Sequence, residues 1–178
     1  MSQKNWVCSV MVVGVLLGSS GSRAEDVNVT VRGTILVPTC SVTAENGDSQ
    51  VTVDFGVVEL MDVGNTNAQQ AFNVRVVCDD TVLSGMYPDM KIQPVSGGTM
   101  QYSGRTVLGT STSGLGIDLY HGGNYIAPGE WVSVTGVDTS QGTLENFLQM
   151  QATLVSENAS KLATGAFTAS ASMVMVYQ

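Results

Sequence analysis

The sequence predicts an all-β chain, a sandwich or a barrel, on three observations. Short runs that alternate apolar and polar residues recur along it, clusters of Gly, Asn, Asp and Ser separate them, and no long segment carries a helical period.

The first 24 residues stand apart from this pattern. Lys4 supplies a basic start, residues 6–18 (WVCSVMVVGVLLG) an apolar middle, and Ser22-Arg23-Ala24 small residues at the minus-three and minus-one positions of a cleavage site. This is the layout of a secretory signal peptide over residues 1–24. The apolar run is short for a membrane span, although an uncleaved anchor is the alternative. Cys8 lies inside the run and not at its end, which argues against a lipoprotein signal.

A mature chain starting at Glu25 has 154 residues, one domain with enough length for a core. Lys4 and Arg23 leave with the signal, so five basic residues face fifteen acidic ones, a net charge of −10. Nucleic acid needs a basic footprint and is excluded as a partner. Acidity of this size serves solubility. Cys40 and Cys78 remain. In an exported chain they pair, or else stay as two buried thiols; the oxidising compartment favours the bond. A bond closing that loop contributes roughly 3–5 kcal/mol. With two cysteines and the lone His121, no zinc site of familiar spacing can be built, and no cofactor is expected.

The candidate strands, in order, are 27–37, 51–58, 71–78, 89–95, 115–120, 131–136, 147–155 and 166–177. Turn clusters lie at 45–49 (ENGDS), 62–67 (DVGNTN), 96–98 (SGG), 109–114 (GTSTSG) and 121–124 (HGGN). The one helical candidate is 144–152, where Leu144, Phe147, Leu148 and Gln151 share a face. The alternate set Leu148, Met150, Ala152 and Leu154 favours a strand instead.

The two outermost strands alternate most strictly. In EDVNVTVRGTILVPTC, Val27, Val29, Val31, Gly33 and Ile35 fall on one face and Asn28, Thr30, Arg32 and Thr34 on the other, before Pro38 interrupts pairing. An ordinary domain uses such a segment as its first core strand; a free one is what β-augmentation of another molecule requires. In GAFTASASMVMVYQ, Phe167, Ala169, Ala171, Met173, Met175 and Tyr177 share one face, Thr168, Ser170, Ser172, Val174 and Val176 the other.

Together these segments resemble a known family. Gly165 lies fourteenth from the end, Tyr177 is penultimate, Cys40 and Cys78 take the expected places, and VTVDFG (51–56) and LGIDLY (115–120) fall between. Over the whole mature length the chain looks like a chaperone–usher pilus (fimbrial) subunit. Its DVNVTVRGTILVPTC start resembles the minor tip adaptor subunits of P and type 1 pili. The resemblance implies an immunoglobulin-like β-sandwich lacking its last strand, which leaves an apolar groove and an unpaired edge. It implies three parts: signal peptide 1–24, N-terminal donor-strand extension 25–37 and pilin domain 38–178. Val27, Val29, Val31, Gly33 and Ile35 are then donor residues that complete a neighbouring subunit. Gly33 stands where the family keeps a glycine because the pocket beneath it is shallow. Gly165, Phe167, Ala169, Ala171, Met173, Met175, Tyr177 and Gln178 form the groove edge that meets a periplasmic chaperone, with the Gln178 carboxylate held by basic chaperone residues. The implied partners are that chaperone, an outer-membrane usher, neighbouring subunits and a tip adhesin. The implied place is the fimbrium, reached through the periplasm. A rod subunit or a chain terminator of the same pilus is the alternative; a terminator lacks an open starting pocket in its groove.

Two other classes are weaker. An enzyme lacks a constellation: His121 sits in a Gly-rich turn near Asp118, with no nucleophile to join them. A single-domain lectin would use Trp131, Tyr120, Tyr125 and Tyr102 as a sugar platform, although such aromatics more often belong to the core or rim of a sandwich.

Overall fold

The computed structural model describes residues 40–78, 88–134 and 145–177. The expected signal peptide, the 27–37 strand with all five donor residues, and Gln178 lie outside these residues. Among the described residues the strands are β1 (Cys40–Ala44), β2 (Gln69–Cys78), β3 (Pro88–Ser96), β4 (Thr99–Tyr102), β5 (Arg105–Gly109), β6 (Gly116–His121), β7 (Asn124–Tyr125), β8 (Trp131–Ser133), β9 (Glu145–Val155) and β10 (Ser170–Tyr177).

They form two antiparallel sheets. The larger runs β1-β2-β9-β6-β5-β4, with β7 on β6; the smaller runs β10-β3-β8. The all-β expectation therefore holds, and the two-sheet architecture is that of a sandwich. The 144–152 segment is strand, as its alternation favours: Leu148, Met150, Ala152 and Leu154 are buried, while Phe147 and Gln149 are exposed. The core takes the inward set of each strand, including Val74 and Val76 from β2, Met90 and Ile92 from β3, and Ile117 and Leu119 from β6.

Four departures from the sequence expectation have local causes. Residues 51–55 alternate in burial, the period breaks after Gly56 to leave Val57 exposed and Val58 half-buried, and none of 51–58 joins a sheet; the period sets which side chains turn inward, and a ladder also needs a neighbour. Residues 166–169 precede β10 and lie outside any strand. β1 was not expected, because its five residues hold only two adjacent strand formers, Val42 and Thr43, and are too few to show a period. The β4–β5 hairpin was also not expected, though its Ser103-Gly104 turn carries a signal. Both residues have positive φ (51° and 79°), as a two-residue type I′ connection requires.

The chain crosses from the small sheet to the large one at Gly97-Gly98. There the backbones of Gly97 and Gly109 touch: a Cβ on Gly109 would lie 2.3 Å from the Gly97 carbonyl oxygen. The Gly109 N–H also donates to the Gly98 carbonyl at 2.9 Å.

Candidate subunit-binding groove

The last strand is an edge. β10 pairs with β3 from Ser170↔Ser96 to Tyr177↔Pro88, and its other side has no strand partner among the described residues. Its alternation is that read from the sequence, but the inward face is incompletely covered. Met175 is buried at 5 % exposure, Phe167, Ala169 and Met173 are half-buried, and Ala171 is exposed. Thr168, Ser170, Ser172 and Val174 point outward and are exposed. An edge strand with an uncovered apolar inner face is a template for another strand.

The unladdered segment 51–58 borders the same space. Val51, Val53, Phe55 and Val58 are half-buried against the core. The Phe55 and Phe167 rings meet at 6.1 Å with a tilted geometry. Beside them opens a cavity of about 630 Å³ walled by Val58, Leu60, Leu115, Leu154, Leu162 and Phe167. Its wall is anchored from two directions. Thr168 and Ser111 exchange hydrogen bonds, the Ser111 N–H to the Thr168 carbonyl at 2.8 Å and the Thr168 N–H to the Ser111 hydroxyl at 2.9 Å. On the other side the Gly64 N–H donates to the Leu154 carbonyl at 2.8 Å.

Gly165 lies at this end with φ +143°, and no atom stands within 4 Å of where its Cβ would be. Glycine is needed there for the backbone turn into β10, not for close packing. The structure thus brings Gly165, Phe167, Ala169, Ala171, Met173 and Met175 along one line, with the Tyr177 backbone at its far end. Sequence reasoning missed the cavity residues on segment 58–63 and Leu162. They sit in irregular chain and short 3-10 turns, where no period marks them.

Cys40 is disulfide-bonded, and Cys78 stands directly opposite it in the β1–β2 register.

The four aromatics of the sugar-platform alternative do not come together. Trp131 lies on the small sheet with the Lys91 ammonium 4.7 Å from its ring centre. Tyr102, Tyr120 and Tyr125 instead surround the Arg105 guanidinium on the large sheet, at 5.9, 5.7 and 5.2 Å. Arg105 donates to the buried Asp118 carboxylate at 2.5 Å, and the Tyr120 hydroxyl donates to the same oxygen at 3.2 Å. The Tyr125 hydroxyl donates to the Thr106 carbonyl. Burial pushes the Asp118 carboxyl above its ordinary range, against the pull of the Arg105 charge and the two hydrogen bonds. Burial first, and then the Asp118 charge, raises the Tyr120 and Tyr125 hydroxyls. The tyrosine faces are occupied by the protein's own cation, so the cluster ties β4, β5, β6 and β7 together.

Comparison with known proteins places these features. A family model described as fimbrial protein matches residues 29–178. The minor fimbrial protein PrsF of Escherichia coli is 30 % identical over 171 residues, covering 91 % of this chain and 94 % of PrsF. The fimbrial adapter PapF of Escherichia coli is 29 % identical over 171 residues, with the same coverage of 91 % and 94 %. Among solved structures, the P pilus rod subunit PapA superposes with a TM-score of 0.57 at 17 % identity, covering 79 % of this chain and 99 % of PapA.

Proposed function

The chain belongs to the fimbrial protein family, and from that premise we propose that it is a minor, adaptor-type subunit that links neighbours in a pilus by donor-strand exchange. The family is one of structural pilus subunits and not of enzymes. One observation carries the proposal: among the described residues β10 has a free edge, and the apolar line that leads into it and along it, Phe167 to Met173, is only partly covered.

In this reading the groove along β10 takes a strand from outside. A periplasmic chaperone lends one first, and at the outer-membrane usher the extension of the next subunit replaces it. The chain's own arm, residues 25–37 ahead of a pilin domain 38–178, does the same for another subunit. Val27, Val29, Val31 and Ile35 are its inward side chains and Gly33 the position where the backbone must pass closely. Fully burying three Val and one Ile contributes about 6–12 kcal/mol before ordering costs, and ladder hydrogen bonds add to it. The open cavity at the Phe167 end is space in which an incoming strand can begin, which supports a link over a terminator. The adaptor role, in place of a rod role, is supported by what PrsF and PapF are called. In the same reading the bond of Cys40 is made with Cys78, its register partner, and holds β1 to β2 at the start of the pilin domain.

The test is co-expression with a periplasmic chaperone of the same pathway, followed by challenge with a synthetic donor-strand peptide. A one-to-one complex that releases chaperone as peptide enters is expected. The arm is tested as donor with residues 25–37, and Gly33→Leu should abolish its entry. A chain that is monomeric and stable alone, and takes up no strand, would overturn the proposal.

A further inference from the structure

Two large apolar side chains near the cavity are left in solvent. Val57 is 101 % exposed and Met61 76 % exposed, and both stand at the cavity mouth outside the packed core. One such side chain would be ordinary, but two on the rim of the same cavity make a small apolar patch, and patches of that kind mark contact sites.

The length of the arm says what can reach them. Ile35, its last inward residue, is separated from Cys40 by only Leu36, Val37, Pro38 and Thr39. Cys40 begins β1 and is disulfide-bonded, so it belongs to the folded body. Five residue steps span at most about 18 Å. When the arm of a donating subunit lies in the groove, that subunit's body is therefore held close to the acceptor. The end of the groove at which this happens follows from size. Ile35 is the largest inward residue of the arm, and the space for it is the cavity at the Gly165–Phe167 end. At the other end Met175 is already buried. The chain leaving the cavity must pass over its mouth.

Resting on the donor-strand reading, we infer that Val57 and Met61 form a second contact surface, covered by the linker of the donating subunit, whose counterpart in this chain is Leu36-Val37-Pro38. The chemistry matches on both sides. The linker is apolar and uncharged, and Pro38, with a fixed φ and no N–H, cannot extend the ladder. It lies as a stiff apolar strip beyond the last paired residue. The mature chain carries −10, so two copies of such a surface repel, and an uncharged contact is the kind that close approach tolerates. The rim thereby converts a strand held in a groove into a joint between two bodies.

The test uses the full mature chain in complex with its chaperone and two peptides from its own arm, residues 25–35 and 25–39. After exchange, dissociation of each peptide is followed. The longer peptide should leave about tenfold more slowly, as expected for burying part of two apolar side chains. In Val57→Ser/Met61→Ser, both changes lying on the surface, the ratio between the two peptides should fall to about one. A 25–39 peptide carrying Leu36→Ser/Val37→Ser should lose the same advantage. Equal dissociation of the two peptides from the unaltered chain would overturn the inference while leaving the groove reading intact. So would an advantage that survives in the rim variant. If neither these peptides nor the donor-strand peptide used to test the groove displaces the chaperone, the groove reading fails and this inference with it; if only the arm peptides fail, this inference alone is overturned.

Discussion

Ala171 and Ser172 are neighbours on opposite faces of β10, and the same substitution at each separates the groove from the surface. Ala171 lies on the inner face between the half-buried Ala169 and Met173, and is exposed in the open groove. Ser172 is exposed on the outer face, opposite Gln93. Aspartate at either position meets water in the uncomplemented chain and leaves its folding nearly unchanged. Once a strand fills the groove, a carboxylate at 171 is buried without a partner. Burial of that kind raises a carboxyl by about 3 pKa units or more, at about 1.4 kcal/mol each, so strand capture at pH 7 weakens by about 4 kcal/mol, roughly a thousandfold. The assay is recovery of soluble chaperone complex from the periplasm, followed by donor-peptide exchange. Ala171→Asp should give almost no complex, and Ser172→Asp as much as the unaltered chain. Equal recovery of the two variants would refute the assignment of that face to an inserted strand.

Two further outcomes concern the fold. Gly109→Ala places a methyl 2.3 Å from the Gly97 carbonyl, where only backbone can yield, and should cost roughly 1–3 kcal/mol in chemical denaturation of the complemented domain. A loss within error would mean that the crossing between the sheets adjusts freely. Asp118 gives a pH signature. Its folded value is raised, so between the ordinary carboxylate range and that raised value the folded chain holds a proton the unfolded chain has released. Its contribution is most favourable below this window and is lost as pH rises through it. Asp118→Asn removes the titration, so Tm of the unaltered chain minus that of the variant should decline with rising pH there; a flat difference would count against the burial of this carboxylate.

Much of the fold was legible because a strand's period of two survives in sequence. Val74 and Val76, Leu148 to Leu154, and Met173 and Met175 all turn inward where alternation places them. The shared face from Phe167 to Met175 was legible for the same reason, while its place at the edge of a groove was implied by the family resemblance. The β4–β5 hairpin was marked only by Ser103-Gly104, between strands too short to show a period. The cavity had no signal at all, since Leu162 and the 58–63 segment lie about a hundred residues apart and share a wall only in the folded chain.

The all-β class, the faces of the long strands and the inner face of the last one were already written in the sequence, because local alternation is carried by each stretch of chain without knowledge of its neighbours. The family was legible separately, from the resemblance carried by the two terminal segments and the cysteine positions. Tertiary structure alone decided which alternating segments are paired. Residues 51–55 and β10 both alternate, yet the first enters no ladder and the second is paired on one side among the described residues. It also decided that Tyr102, Tyr120 and Tyr125 meet around Arg105 while Trp131 joins the other sheet. The physical reason is the same in both cases. A side chain's direction is set by its own backbone, whereas a ladder or a contact needs a second segment brought from far along the chain.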